Sequence, residues 1–110
     1  MKFAAKFVLA GLVTFGVSEA LAGNYQEVSS KNKDYRPTGA RMTLGEAVHV
    51  AEQQALQRNF SLAEYRGPRF LYSSDNHWVI LYVWKVDVPG GYFYVDIDDR
   101  TRRAKLMPGE

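Results

Sequence analysis

The sequence predicts an α+β fold, with one N-terminal helix packed on a three- to four-stranded curved antiparallel sheet. Apolar residues recur at helical spacing over residues 44–58, and from Pro68 the period changes to two. The links between the later segments are short and polar, which favours antiparallel neighbours and a two-layer packing.

Residues 1–22 have the pattern of a secretory signal peptide. Lys2 and Lys6 precede a continuous apolar stretch over residues 7–17, and Ala20-Leu21-Ala22 supplies a small-residue cleavage site before Gly23. The stretch is shorter than the about 20 apolar residues a membrane span needs. The expected mature chain, residues 23–110, is periplasmic or secreted. It has no cysteine, hence no lipid attachment at the cleavage site, no disulfide and no thiolate metal site. Cleavage removes two lysines and one glutamate and leaves a net charge near neutrality, so nothing favours general nucleic-acid binding. No stable membrane anchor is expected.

Residues 23–41 are polar and aperiodic and read as a flexible arm, with Tyr25, Val28 and Tyr35 as candidate anchors. Residues 42–110 form the expected single domain. Thr43-Leu44-Gly45-Glu46 is a capping box that opens the helix. Leu44, Ala47, Val48, Ala51 and Ala55 share its apolar face. Asn59 is placed to end it in the left-handed conformation, and residues 61–64 can add one more turn.

Residues 69–73 read as the first strand and residues 74–77 as a turn. Residues 78–87 form the strongest strand, with Trp78, Ile80, Tyr82, Trp84 and Val86 on one face and Val79, Leu81, Val83, Lys85 and Asp87 on the other. Pro89-Gly90-Gly91 is a loop and residues 92–97 a further strand. Residues 98–103 are a polar turn before a last short strand over residues 104–107.

Reaction chemistry is sparse. His49 reads as solvent-facing. His77 sits two residues from Asp75, a pair able to orient an imidazole for base work, but no nucleophile motif accompanies it. No metal-ligand spacing is present. Asp96, Asp98 and Asp99 read as a solvated acidic turn balanced by Arg100, Arg102 and Arg103, with partner recognition as the sharper alternative. The adjacent glycines permit close approach by another molecule. Tyr82, Trp84, Tyr92 and Tyr94 are expected to cluster if the flanking strands pair across the loop.

Several segments together resemble a known family. They are Tyr35-Arg36-Pro37, Glu46-Ala47-Val48-His49-Val50-Ala51-Glu52, Gly67-Pro68-Arg69-Phe70, Trp78-Val79-Ile80, Gly90-Gly91 and Tyr94-Val95-Asp96-Ile97. Over residues 35–109 the chain resembles the NTF2-fold immunity proteins of polymorphic toxin systems. The resemblance implies a non-enzymatic protein that neutralises a toxin by binding it, without a cofactor. The same parts also resemble the PepSY domain, linked to inhibition of secreted peptidases. Its last hairpin usually reads D-x-x-T-G, where this chain has Asp98-Asp99-Arg100-Thr101-Arg102. Both families share a cystatin-like layout. The expected function is therefore an exported immunity protein whose toxin acts in the periplasm, with a peptidase modulator as the alternative and a small hydrolase using Asp75 and His77 as a third. The expected partner-binding residues are Trp84, Asp87, Gly90, Gly91, Tyr92 and Tyr94, with Arg100 and Arg102 in the following turn. No catalytic or metal-binding residue is expected.

Overall fold

The computed structural model describes residues 24–109; the signal peptide expected over residues 1–22 lies outside them. One helix packs against an open five-stranded antiparallel sheet. The strands are β1 (Gln26–Glu27), β2 (Arg69–Ser73), β3 (His77–Val83), β4 (Tyr92–Asp98) and β5 (Ala104–Pro108), and the helix α1 is Leu44–Gln57. Strand order in space follows chain order, so each strand pairs with its sequence neighbour. The sheet has five strands, not three or four, because the N-terminal arm adds β1 along the outer edge of β2.

The helix starts where its capping box directs. Thr43 Oγ1 accepts the Glu46 amide at 3.2 Å, and Glu46 Oε1 accepts the Thr43 amide at 2.9 Å. The arm completes the cap. The Tyr35 carbonyl takes the Leu44 amide and the Lys33 carbonyl takes the Gly45 amide, both at 2.8 Å. With Ala47 donating to the Thr43 carbonyl, all four amides of the first turn are satisfied. At the other end Asn59 adopts φ +64°, and its amide bonds to the Leu56 carbonyl. A 3-10 turn, Leu62–Glu64, follows.

The five stripe residues of α1 are all buried, and the helix packs over β5, β4 and β3. The facing sheet surface carries Phe70, Trp78, Ile80, Tyr82, Phe93, Val95, Ile97 and Leu106, which form one core with Met42 and the stripe. Small alanines on the helix leave room for large rings on the sheet. Tyr82 stacks on Phe93 at 4.9 Å between ring centroids, and Tyr72 meets Trp78 edge-on at the same distance. Burial raises the pKa of the Tyr82 hydroxyl, as does Glu52, and that oxygen is buried without a hydrogen-bond partner among the described residues.

β3 ends at Val83, four residues short of the expected Asp87. Beyond it the chain turns to the segment that follows the 3-10 turn. The Arg66 amide bonds to the Val83 carbonyl at 2.8 Å, and the Lys85 amide to the Glu64 carbonyl at 3.0 Å. Trp84 still donates to Gly91 at 2.7 Å and bridges to Tyr65, so it pairs on both sides as the chain leaves the sheet.

Asp99 departs from the solvated reading of its turn. It is 1% exposed, and its carboxylate receives three bonds. The Arg41 amide donates at 2.8 Å, the Met42 amide at 2.9 Å and the Trp78 indole at 3.1 Å. Burial alone would raise its pKa, but these donors, with the Arg100 charge, outweigh burial and hold it below the usual carboxylate value. The stabilisation is therefore present above the unfolded value and is lost as pH falls through the lowered folded value.

Asp99→Asn replaces one acceptor oxygen with an NH2 group that faces a backbone amide. It should destabilise the domain by about 3 kcal/mol and lower its melting temperature by about 15 °C. The variant should also lose part of the acid-side decline in stability. Melting temperatures of both proteins across the acid range measure both effects.

Candidate binding surface

The strand register assigns the expected site residues to separate places. Tyr82 pairs with Phe93, while Val83 pairs with Tyr92 and Leu81 with Tyr94. Paired residues share a face, so Tyr82 lies on the helix side and Tyr92 and Tyr94 on the outer side. Trp84 follows the parity of Tyr82. Its ring lies 6.4 Å from Tyr65, which in turn meets Phe93 edge-on. The expected cluster of Tyr82, Trp84, Tyr92 and Tyr94 is thus split by the sheet.

The glycine pair serves the loop's own closure. Gly90 takes φ +74°. A Cβ on Gly91 would stand 3.0 Å from Val88 Cγ2 and 3.2 Å from the Trp84 ring. From the other side Gly109 donates to the Tyr92 carbonyl at 2.7 Å, and a Cβ there would meet that oxygen at 2.6 Å. The molecule that approaches these glycines closely is this chain itself. Asp87 and Val88 remain exposed on the loop.

Arg100 and Arg102 are exposed at the opposite end of β4. The turn that carries them is built by Asp98, whose Oδ1 accepts the Arg100 amide at 2.8 Å and the Thr101 amide at 3.0 Å. Those bonds are the main reason its pKa is lowered. Arg102 takes φ +64° and reaches Glu46 of α1 at 3.7 Å. A glycine would hold that backbone conformation without strain.

His77 has different partners from the expected Asp75. Its Nδ1 lies 2.5 Å from Asp96 Oδ1, and its Nε2 lies 3.7 Å from Asp98 Oδ2. The cause is register: His77 pairs with Asp98, and Asp96 is the next β4 residue on the same face. Asp75 instead accepts the Ser73 hydroxyl. Burial alone would lower the His77 pKa; the hydrogen bond to Asp96 and the charges of Asp96, Asp75 and Asp98 outweigh it and raise it above 6.5. Both ring nitrogens face carboxylates, an arrangement that suits the doubly protonated ring. The single proton of the Ser73 hydroxyl is shared between Asp75 and the His77 carbonyl.

The outer face between these ends is apolar and aromatic. Leu71, Val79, Leu81 and Val83 alternate with the core positions of their strands, next to Tyr92, Tyr94 and Met107. Leu71 is 37% exposed and Leu81 only 1%. Asp96 and Lys105 are cross-strand neighbours there. Tyr25 from the arm also lies on this face. Burial raises its pKa most, and Tyr94, Asp96 and Tyr92 add to the shift. Tyr25 is one of the candidate anchors the arm offers in sequence, with Val28 and Tyr35; which face of the sheet it takes follows only from the strand register. Among the described residues no helix is long and apolar enough to cross a membrane, and no group of three or more ligating side chains is placed to hold a metal ion.

Two outcomes follow. Because the His77 pKa is raised on folding, its contribution is full below the unfolded value and is lost as pH rises through the folded value. Melting temperatures from about pH 5.5 to about pH 8.5 should include this decline in the unaltered chain and lack it in His77→Gln. Arg102→Gly should raise stability by about 0.5–1 kcal/mol by relieving the left-handed backbone, against a few tenths lost with the exposed Glu46 pair; urea denaturation measures the difference.

No protein-family model, curated protein or solved structure matches this chain.

Proposed function

We propose that this chain is an exported, non-enzymatic binding protein of the immunity type, which docks on a toxin acting in the periplasm and neutralises it. The observation that carries the reading is the outer sheet face, where half-exposed tyrosines and aliphatic side chains lie with no helix of the described residues over them. Aromatic residues of this kind dominate protein-binding surfaces. The signal-peptide pattern of residues 1–22 accords with a periplasmic target. The same reading takes the helix and sheet as an NTF2-like or cystatin-like layout. Contact would centre on Tyr92 and Tyr94, with exposed Asp87 at the loop. Trp84, turned to the helix side, would support the loop from behind.

One observation favours the second reading, a PepSY-like modulator of a secreted peptidase. Arg102 occupies the place of the glycine in D-x-x-T-G and takes the conformation a glycine would adopt, and Asp98 caps the turn.

The test is capture by the mature chain from native envelope extract, followed by affinity measurement on the isolated partner. Recovery of a wall- or membrane-directed toxin supports the first reading and a peptidase supports the second. Tyr94→Ala should weaken either complex at least about tenfold, equivalent to about 1.4 kcal/mol. An unchanged affinity removes the outer face from the site, and a cytoplasmic nuclease as partner overturns the periplasmic reading.

A further inference from the structure

We infer that the outer sheet face is a docking seat for an extended polypeptide segment bearing an aromatic side chain, and that residues 24–27 fill it in cis until such a segment displaces them. The inference deepens the proposed binding role by naming the chemistry of what docks.

The chain itself shows what fits the seat. Gln26 pairs with Phe70 and Glu27 with Arg69, antiparallel to β2. The same register sets Tyr25 opposite Leu71, so the tyrosine shares the outer face with Leu71, Val79 and Leu81. Leu81 is 1% exposed although the helix lies on the other side of the sheet. Its cover therefore comes from side chains on the outer face, and Tyr94 and Tyr25 provide rings there. Extended backbone along β2 with an aromatic ring across the face is strand addition, with the ring as specificity element.

The strap is also lightly held. β1 pairs with two of the five β2 residues. Its ion pair, Glu27 to Arg69 at 3.4 Å, joins exposed groups and contributes at most about 1 kcal/mol. Its C-terminal end is fixed by the Val28 amide donating to the Pro68 carbonyl at 3.1 Å, by the Asn32 side-chain amide donating to the Glu27 carbonyl at 2.9 Å and by Val28 packing on the core, which leaves the stretch before Glu27 to open. Tethering favours the cis strap through a high effective concentration, which a competing segment must overcome. Removing the ring from the strap should therefore open the seat to a segment in trans.

The probe is a synthetic peptide of residues 24–30 of this chain. It should bind the full chain carrying Tyr25→Ala saturably, and the unaltered chain at least about tenfold more weakly. Backbone amide shifts should change at Leu71, Leu81 and Tyr94. The same peptide with alanine in place of Tyr25 should not bind. Equal affinity for both chains, absence of saturable binding, or shifts confined to the helix side overturns the inference. Amide hydrogen exchange on the unaltered chain gives an independent reading. The Gln26 and Glu27 amides should exchange at least about a hundredfold faster than that of Ile80, through local opening. Exchange at the rate of Ile80 would mean that the strap opens only with the whole fold, and overturns its displacement. Neither measurement involves a toxin or a peptidase, so failure to find such a partner leaves this result standing.

Discussion

The carboxylate of Asp99 is the constraint on which the rest of the structure depends. It sits in the turn between the last two strands, yet its hydrogen-bond donors come from the segment before the helix and from the strand that leads the core. An ionised group with so little exposure is tolerable only because three donors meet it. The same residue donates its own amide to the Asn76 carbonyl, which ties in the turn between β2 and β3. Through its side chain this one residue fixes the helix entry and the Trp78 ring, and through its backbone it ties the β2–β3 turn to its own. Without it Met42 and Trp78, both fully buried, would lose the polar anchors that set their positions.

Helix and sheet divide the work of packing unequally. The helix contributes mostly methyl groups, and the sheet contributes the rings. That asymmetry lets the helix lie close, and it consumes most of the large apolar side chains of the inner face. The outer face keeps tyrosines, aliphatic residues and one charged corner around His77. A surface of that composition is half-way between a core and a solvated exterior. Covering it with a short edge strand and a single ring is a modest solution for a domain of this size.

The helix and its stripe were legible in the sequence because their signals are local. A capping box, alanine spacing and a left-handed asparagine act within one or two turns of chain. Alternation in β3 and β4 was legible for the same reason. What escaped depends on pairing between segments. β1 consists of Gln26 and Glu27, which show no apolar alternation, so only its contact with β2 defines it as a strand. Trp84 and Tyr94 looked like one cluster because parity within each strand says nothing about register between strands. His77 was matched to Asp75, its neighbour in sequence, when the ladder brings Asp96 instead. Asp98 and Asp99 are adjacent and identical, and nothing local says that the first builds the turn while the second is drawn into the core.

The hydrogen bonds from Arg41 and Met42 to Asp99 span 58 and 57 residues of sequence, whereas the strand pairings between β2 and β5 join neighbours in a meander. Hairpins of that kind close quickly, because little chain entropy is lost in each loop. The long-range closure loses more chain entropy and needs the final turn in place to receive it. The carboxylate therefore joins the segment before the helix to a turn that only the last two strands create. A chain shortened before residue 99 would hold the helix sequence intact and lack the group that closes it onto the sheet.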